Sequence, residues 1–214
     1  MGGTMYRHSI ALALLLAAPS AHAAMADPMQ VVPDTSYRII TDTDDRPDGP
    51  QTINGCELKP GASCPGADLS HQDLSGLNLN GADLTGARLV RANLHGTLLK
   101  GATLTGADLR GADLSESYLQ GATVRDADLT GADLDYSRMA GIDFSGSDMT
   151  AVSMEAVWAN KARLVGVTLV AANLSEAKFY NADLANATLG DNTNRFTIWE
   201  GVHMENCTGC PVDW

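Results

Sequence analysis

Apolar residues recur at every fifth position along most of this chain. The series runs in steps of five from residue 69 to residue 189, and its 25 positions are all large and apolar except Ala159. A small side chain usually stands two residues earlier, with Gln72, Leu77 and Ile142 as the larger exceptions. A helix repeats every 3.6 residues and a strand every two, so neither explains a period of five. The pattern predicts a repeat architecture that buries one side chain per step.

The repeats are variations on Ala-Asp-Leu-x-Gly, which residues 82–86 and 107–111 match in full. Over residues 62–191 the chain resembles the pentapeptide-repeat family, whose consensus is Ala, Asp or Asn, Leu and two variable residues. The resemblance implies an all-β fold, a right-handed quadrilateral β-helix of about six coils with four pentapeptides in each. Adjacent coils would stack about 4.8 Å apart, which makes a solenoid about 30 Å long. Leucine and the small residue would point inward and the other three positions outward.

The N-terminal residues have the features of a secretory signal peptide. Arg7 and His8 precede an apolar run at residues 10–18, which is too short to span a bilayer as a stable helix. Small residues offer two cleavage sites, after Ala23 and after Ala26. We therefore expect a mature protein in the periplasm or outside the cell, without membrane insertion.

This interpretation divides the chain into four segments. They are a signal peptide at 1–23, an N-terminal linker and cap at 24–61, the β-helix at 62–191 and a C-terminal cap at 192–214. In the last segment, Phe196, Ile198 and Trp199 are expected to cover the final layer of the core. Within the core, Phe179 is expected to fill the volume that Ala159 leaves.

Four cysteines lie in two pairs at the two ends of the predicted β-helix. Cys56 and Cys64 stand at its beginning, and Cys207 and Cys210 follow its end. A solenoid of about 30 Å separates the pairs, whereas a disulfide needs Cα atoms within about 7 Å. Local pairing, Cys56–Cys64 and Cys207–Cys210, is predicted and suits an oxidising compartment. Two alternatives stay open at the C terminus, a redox Cys-x-x-Cys site and a zinc site that includes His203.

The chain is acidic, with a formal net charge of −12. Such a charge should repel nucleic acid and anionic membranes, so no direct nucleic-acid binding is expected. The acidic side chains concentrate in outward columns at intervals of 20 residues. One face carries Asp73, Asp113, Asp133, Asp135 and Glu155, and an adjacent face carries Asp68, Asp108, Asp128 and Asp148 with Arg88 and Arg110.

The side expected opposite the first acidic face has no acidic residue in its two columns over residues 78–180. Aromatic and cationic residues alternate there at a spacing that allows cation–π stacking. Exposed aromatic residues with arginine are typical of interaction surfaces, although the ladder could equally hold neighbouring coils together. The candidate partner surface comprises Leu98, Tyr118, Arg138, Trp158, Lys178 and Tyr180.

These observations favour an exported, non-enzymatic scaffold that binds a protein partner or a second copy of itself. No catalytic residue, cofactor site or metal site is predicted, and no histidine is expected beside a nucleophile and an orienting acid. Arg46 interrupts a calcium-like aspartate stretch at residues 42–48. One alternative is a DNA mimic that inhibits a nucleic-acid enzyme, because some family members resemble duplex DNA and bind gyrase. Another is a hydrolase that uses Asp113 and Asp133 as an acid pair.

Overall fold

The computed structural model describes residues 51–211, and these form a β-helix-type solenoid. Parallel backbone bridges join residues 20 positions apart, from Ser63↔Asp83 at one end to Thr188↔Thr208 at the other. A turn follows each bridge at five-residue intervals, so each 20-residue coil has four sides. The predicted solenoid is confirmed, while its handedness and coil number stay predictions. The described residues contain no helix.

Most contacts between coils are isolated β-bridges. Within residues 51–211, four segments are long enough to form strands. β1 (Gln51–Ile53) and β2 (Cys56–Leu58) form an antiparallel hairpin. β3 (Thr168–Val170) and β4 (Thr188–Gly190) are paired in parallel, in the same 20-residue register as the bridges.

The chain turns each corner at a residue with positive φ. Every fifth residue from 61 to 206 has this left-handed conformation, two positions after the buried centre. Glycine adopts it without steric cost, as at Gly106, whereas Tyr136 adopts it with a full side chain at φ 59°. The corner series and the bridges both continue beyond residue 191. Residues 192–208, predicted as part of a cap, therefore continue the coiled backbone.

The interior contains the series that the sequence predicts. All 25 centres from Leu69 to Leu189 are buried, and so are Leu77 and Ile142 at the position expected for small residues. Gln72 is only half-buried. Burying one leucine contributes about 2 kcal/mol before the entropy of ordering is subtracted. The ladder of apolar centres therefore supplies the main driving force for stacking one coil on the next.

Aspartate is frequent before each centre because it holds the turn that follows. The Asp128 carboxylate accepts hydrogen bonds from the Thr130 N–H at 3.0 Å and the Thr130 hydroxyl at 2.6 Å. Asp83 binds Thr85 in the same way. Each contact closes an Asx turn, in which a side chain replaces a backbone acceptor. The repeated carboxylates thus have a structural role independent of any chemistry.

The N-terminal end of the described chain is a disulfide-bonded hairpin. Asn54 and Gly55 both have positive φ, as a two-residue type I′ turn requires. Cys56 is bonded to Cys64 with their Cα atoms 5.5 Å apart, and both are buried against the core. The predicted first pair is therefore present and ties the hairpin to the first coil.

At the C-terminal end, Cys207 is bonded to Cys210, with their Cα atoms 5.8 Å apart. This bond occupies the two thiols that a zinc site would need, whereas a redox Cys-x-x-Cys site would hold the same bond in its oxidised form. Within residues 51–211, no group of three or more His, Cys, Asp or Glu side chains is placed to hold a metal ion.

The prediction for the last core layer is partly wrong. Trp199 is buried and its ring stacks on Phe179, with centroids 4.8 Å apart and planes at 7°. Phe196 instead is 77% exposed, because it occupies a corner position with φ 59°. Ile198 is half-buried and continues an outward column.

Two predictions fall wholly or largely outside the described residues. The signal peptide at 1–23 and the linker up to residue 50 belong to that part of the chain. Among residues 51–211, no helix has the length and apolar character needed to cross a membrane.

Candidate functional site

One side of the solenoid differs from the other three, and we call it the aromatic face. Bridges join its outward residues in order, one coil to the next. Tyr118 is 38% exposed and Trp158 is 51% exposed, whereas Leu98 and Tyr180 are half-buried. The central column of the aromatic face consists of Leu98, Tyr118, Arg138, Trp158, Lys178 and Ile198.

Cations stack on both exposed aromatic rings of this column. The Lys178 Nζ atom lies 4.0 Å from the centre of the Trp158 ring, and the Arg138 guanidinium carbon lies 5.5 Å from that of Tyr118. Both distances fall within the range of about 6 Å for cation–π attraction. The predicted ladder is thus present, and it fixes the aromatic side chains without burying them.

The aromatic face also lacks the turn chemistry of its neighbours. In its first described coil, the Asn80 N–H donates to Asn78 Oδ1 at 3.2 Å, which is the usual Asx turn. From Leu98 to Ile198 the same position carries six successive residues that are neither Asp nor Asn. Hydrophobic or cationic side chains have replaced a local stabilising hydrogen bond in each of these coils.

Two exposed aromatic residues are missing from the predicted partner surface because they lie at a corner. Tyr136 is 57% exposed and Phe196 is 77% exposed, and both belong to the corner that borders the aromatic face. With Trp158, Lys178 and Ile198 they line a shallow groove of about 500 Å³. The sequence does contain a signal for this corner, because residues 136, 156, 176 and 196 have the same 20-residue spacing as the predicted column.

The arrangement of the faces corrects another prediction. Residues 133, 136 and 138 belong to consecutive parts of one coil, so the acidic face and the aromatic face are adjacent. The Tyr136 hydroxyl donates to Glu155 Oε1 across their shared corner at 3.4 Å. The side opposite the aromatic face is therefore the one with Asp68, Asp108 and Asp128, which we call the mixed face.

The acidic face consists of Asp73, Asp113 and Asp133 in one column and Asp135 and Glu155 in the next. Bridges place Asp113 and Asp133 in adjacent coils. Burial raises the pKa of Asp133, and the nearby carboxylates of Asp135 and Asp113 raise that pKa further. The Asp133 carboxylate nevertheless accepts the Asp135 N–H at 2.9 Å, which is the same Asx turn found elsewhere.

A serine and a histidine also meet on this face, contrary to expectation. His95 Nδ1 lies 3.0 Å from Ser115 Oγ, and the Ser115 hydroxyl donates to Asp113 Oδ1 at 2.6 Å. In a catalytic triad the acid orients the histidine and the histidine accepts the serine proton. Here the acid accepts the hydrogen bond of the serine hydroxyl, as Asp128 accepts that of the Thr130 hydroxyl. The trio repeats a turn motif and lacks the triad order.

The mixed face compensates its own charges. Arg110 Nη2 lies 2.7 Å from Asp108 Oδ2, and Arg110 Nε lies 3.6 Å from Asp128 Oδ2. The hydrogen bond from Arg110 lowers the pKa of Asp108 below its ordinary value. Little uncompensated charge therefore remains around these three side chains for an external partner.

Comparison with protein families assigns the repeat. The family model described as pentapeptide repeats matches in eight copies, over residues 62–101, 87–126, 112–150 and 159–191. These segments cover more than half of the chain. The chain belongs to the pentapeptide-repeat family, as its sequence predicts.

Several solved structures are similar to this chain. HetL, a pentapeptide repeat protein involved in heterocyst differentiation regulation in Nostoc sp. strain PCC 7120, is 25% identical over 68% of this chain and 80% of its own, with a TM-score of 0.41. A pentapeptide repeat protein of the Arabidopsis thaliana thylakoid lumen is 32% identical over 51% of this chain and 75% of its own, with a TM-score of 0.46. Full-length QnrB1, a plasmid-mediated fluoroquinolone resistance protein, is 16% identical over 68% and 90%, with a TM-score of 0.45. Comparison with curated proteins gives no significant match.

Proposed function

We propose that this chain is an exported, non-enzymatic scaffold that binds a protein partner through its aromatic face, in the periplasm or outside the cell. The observation that carries the proposal is the column from Leu98 to Ile198. Six successive residues there give up the Asx turn, and Tyr118 and Trp158 remain exposed. Aromatic residues and arginine are the side chains that dominate binding energy at protein interfaces.

Export is supported by two independent features of the chain. The N-terminal sequence resembles a cleavable signal, and the four cysteines of the chain form two local disulfides. Disulfides persist in oxidising compartments and are rare in the cytosol. An N terminus at Ala24 or Asp27, measured by mass spectrometry on the protein from envelope fractions, is the expected result. A full-length chain starting at Met1 in the cytoplasm would contradict export.

A non-enzymatic role is supported by the acidic face itself. Its carboxylates hold Asx turns. In its serine–histidine contact the Ser115 hydroxyl donates to Asp113, whereas nucleophilic catalysis needs it to donate to the histidine. The hydrolase alternative, which uses Asp113 and Asp133 as an acid pair, can also be tested. If it is correct, the purified protein hydrolyses glycans and Asp133→Asn abolishes that activity. We expect no hydrolysis by the wild-type protein.

The binding role is tested by chemical crosslinking and capture of the mature, oxidised protein in envelope extracts. The double variant Tyr118→Ala and Trp158→Ala should lose the crosslinked partner. The matched control, Thr105→Ala with Arg125→Ala, changes two outward residues of another face and should retain it. Circular dichroism checks that both variants keep the fold. A double variant that keeps every crosslink of the wild type would reject the aromatic face as the docking surface.

A further inference from the structure

The two columns of the aromatic face carry positive charge over residues 78–180, while Glu176 at the shared corner lines the groove beside Arg138 and Lys178. Lys100, Arg138 and Lys178 lie in its two columns, and no carboxylate occurs in either column over residues 78–180. Arg138 and Lys178 stack on their own aromatic neighbours. None of the ion pairs among residues 51–211 includes any of the three cations.

The adjacent acidic face carries the complementary charge. Asp113, Asp133, Asp135 and Glu155 lie on three successive coils, and no ion pair of the described residues includes them. Polar groups alone hold two of them, since the Ser153 hydroxyl donates to Asp135 at 2.6 Å and Asn173 Nδ2 donates to Glu155 at 3.1 Å. The raised pKa of Asp133, caused first by burial and then by Asp135 and Asp113, shows that these carboxylates repel one another. An external cation would relieve that repulsion.

The exposed rings suit a carboxylate as the group that docks. A cation covers one face of Tyr118 and one face of Trp158. Ring edges are the positive part of the aromatic quadrupole, and they attract negative groups. Cations and ring edges together therefore make this side of the solenoid electropositive.

The spacing of the charges identifies the partner. Arg138 and Lys178 are two coils apart, and the four carboxylates span three coils. Both ladders rise by about 4.8 Å per coil. A second copy of this chain has the same rise, so the two ladders keep one register along the contact. In parallel copies offset by one coil, Lys178 meets the level of Glu155 and Arg138 meets the level of Asp113.

We propose that the aromatic face of one chain docks on the acidic face of a second copy. The contact rests on the proposed function, because it takes the aromatic face as the docking surface. Tyr136 and Phe196, exposed at the corner that the two faces share, become covered at the edge of the contact. After the first contact one copy keeps a free acidic face and the other keeps a free aromatic face, so association continues beyond a dimer.

Charge reversal with rescue tests this contact. The aromatic-face variant is Arg138→Glu with Lys178→Glu, and the acidic-face variant is Asp113→Lys with Glu155→Lys. The control reverses Arg88 and Arg125, which lie on the two remaining faces, to Glu. Sedimentation velocity on the purified mature protein should show association beyond a dimer for wild type and control, and monomers for each face variant alone. An equimolar mixture of the two face variants should associate again, because the intact acidic face of one variant fits the intact aromatic face of the other and their reversed faces are also complementary.

Salt provides a measurement without any substitution. Screening shortens the reach of surface charges from about 10 Å at 0.1 M to about 3 Å at 1 M ionic strength, so wild-type association should weaken over this range. A wild-type protein that stays monomeric, forms only a dimer, or associates independently of both reversals would overturn the proposal. So would a mixture that fails to restore association. Self-association can fail while crosslinking in envelope extracts still depends on Tyr118 and Trp158, in which case the proposed function stands with a different partner.

Discussion

The two halves of the solenoid turn their corners with different residues. Of the fifteen corner residues from 61 to 131, eleven are glycine, whereas only four of the fifteen from 136 to 206 are. All thirty have positive φ. For a residue with a side chain this conformation costs about 1–2 kcal/mol. The second half therefore accepts backbone strain at more of its corners than the first, while asparagine or aspartate, which tolerate this conformation, occupies four of them.

The interior and the surface change in the same half. Leucine fills almost every centre up to residue 134, whereas later centres include Met139, Phe144, Ala159 and Phe179. Three of the four large exposed hydrophobic residues, Tyr136, Trp158 and Phe196, also lie there. Replacing a corner glycine gives the chain a side chain that projects from the solenoid. The first half is thus built for regular stacking, and the second presents a surface.

The largest expected effect concerns the aromatic stack of the second half. Phe179→Ala should lower the free energy of unfolding by about 4 kcal/mol, because it removes the ring that stacks on Trp199 and enlarges the space beside Ala159. Leu99→Ala, at the equivalent inner position of the first half, should lower it by about 3 kcal/mol. Urea denaturation measures both. A smaller loss for Phe179→Ala than for Leu99→Ala would show that the stack does not support the second half.

A smaller effect on the free energy of unfolding is expected at Ala159, the smallest residue of its inner column. Ala159 is fully buried between coils that carry Met139 and Phe179. If Phe179 fills the volume beside Ala159, Ala159→Leu overpacks the site and should lower the free energy of unfolding by about 2 kcal/mol. Thermal unfolding gives the sign directly. A higher melting temperature with unchanged packing around Phe179 would show that a cavity was present instead.

Corner strain can be measured in each half. Gly101 has φ 66° and open space around an added Cβ, so Gly101→Ala should cost about 1 kcal/mol from the backbone alone. The reverse change at Ala151, which has φ 56°, should stabilise by about 0.5 kcal/mol after the added freedom of glycine is subtracted. Denaturant midpoints report both values. If both variants changed the free energy of unfolding by the same amount and in the same direction, corner strain would not distinguish the two halves.

The smallest effect is a pH dependence at the last coil. His203 Nδ1 lies 2.9 Å from Asp183 Oδ1, and this hydrogen bond raises the pKa of His203 above 6.5. A raised folded-state pKa gives stability that is present below pH 6.5 and is lost as the pH rises through the folded-state value. The melting temperature should therefore fall slightly over that window. Asp183→Asn should flatten the dependence, and an unchanged slope in that variant would point to another group.

The interior and the ladder were predictable because both depend on a fixed period. Leucine at every fifth position defines the buried centres, and the 20-residue columns place Tyr118, Arg138, Trp158 and Lys178 next to one another. The sequence does not show directly that Phe196 lies at a corner, because position 194, where the next apolar centre is expected, is Asn194. Counting on from Leu189 would have placed residue 196 at a corner.

The sequence by itself determined the repeat, the inner side chains and the order of residues along each column, since these depend only on spacing. The three-dimensional fold decided which columns meet at a corner and which side chains stay exposed. The aromatic and acidic faces lie side by side because one corner residue separates them along the coil. Tyr136 and Phe196 project because a left-handed corner points its side chain away from the core. Charge compensation also depends on the three-dimensional fold, because Arg110 contacts both Asp108 and Asp128 on the mixed face.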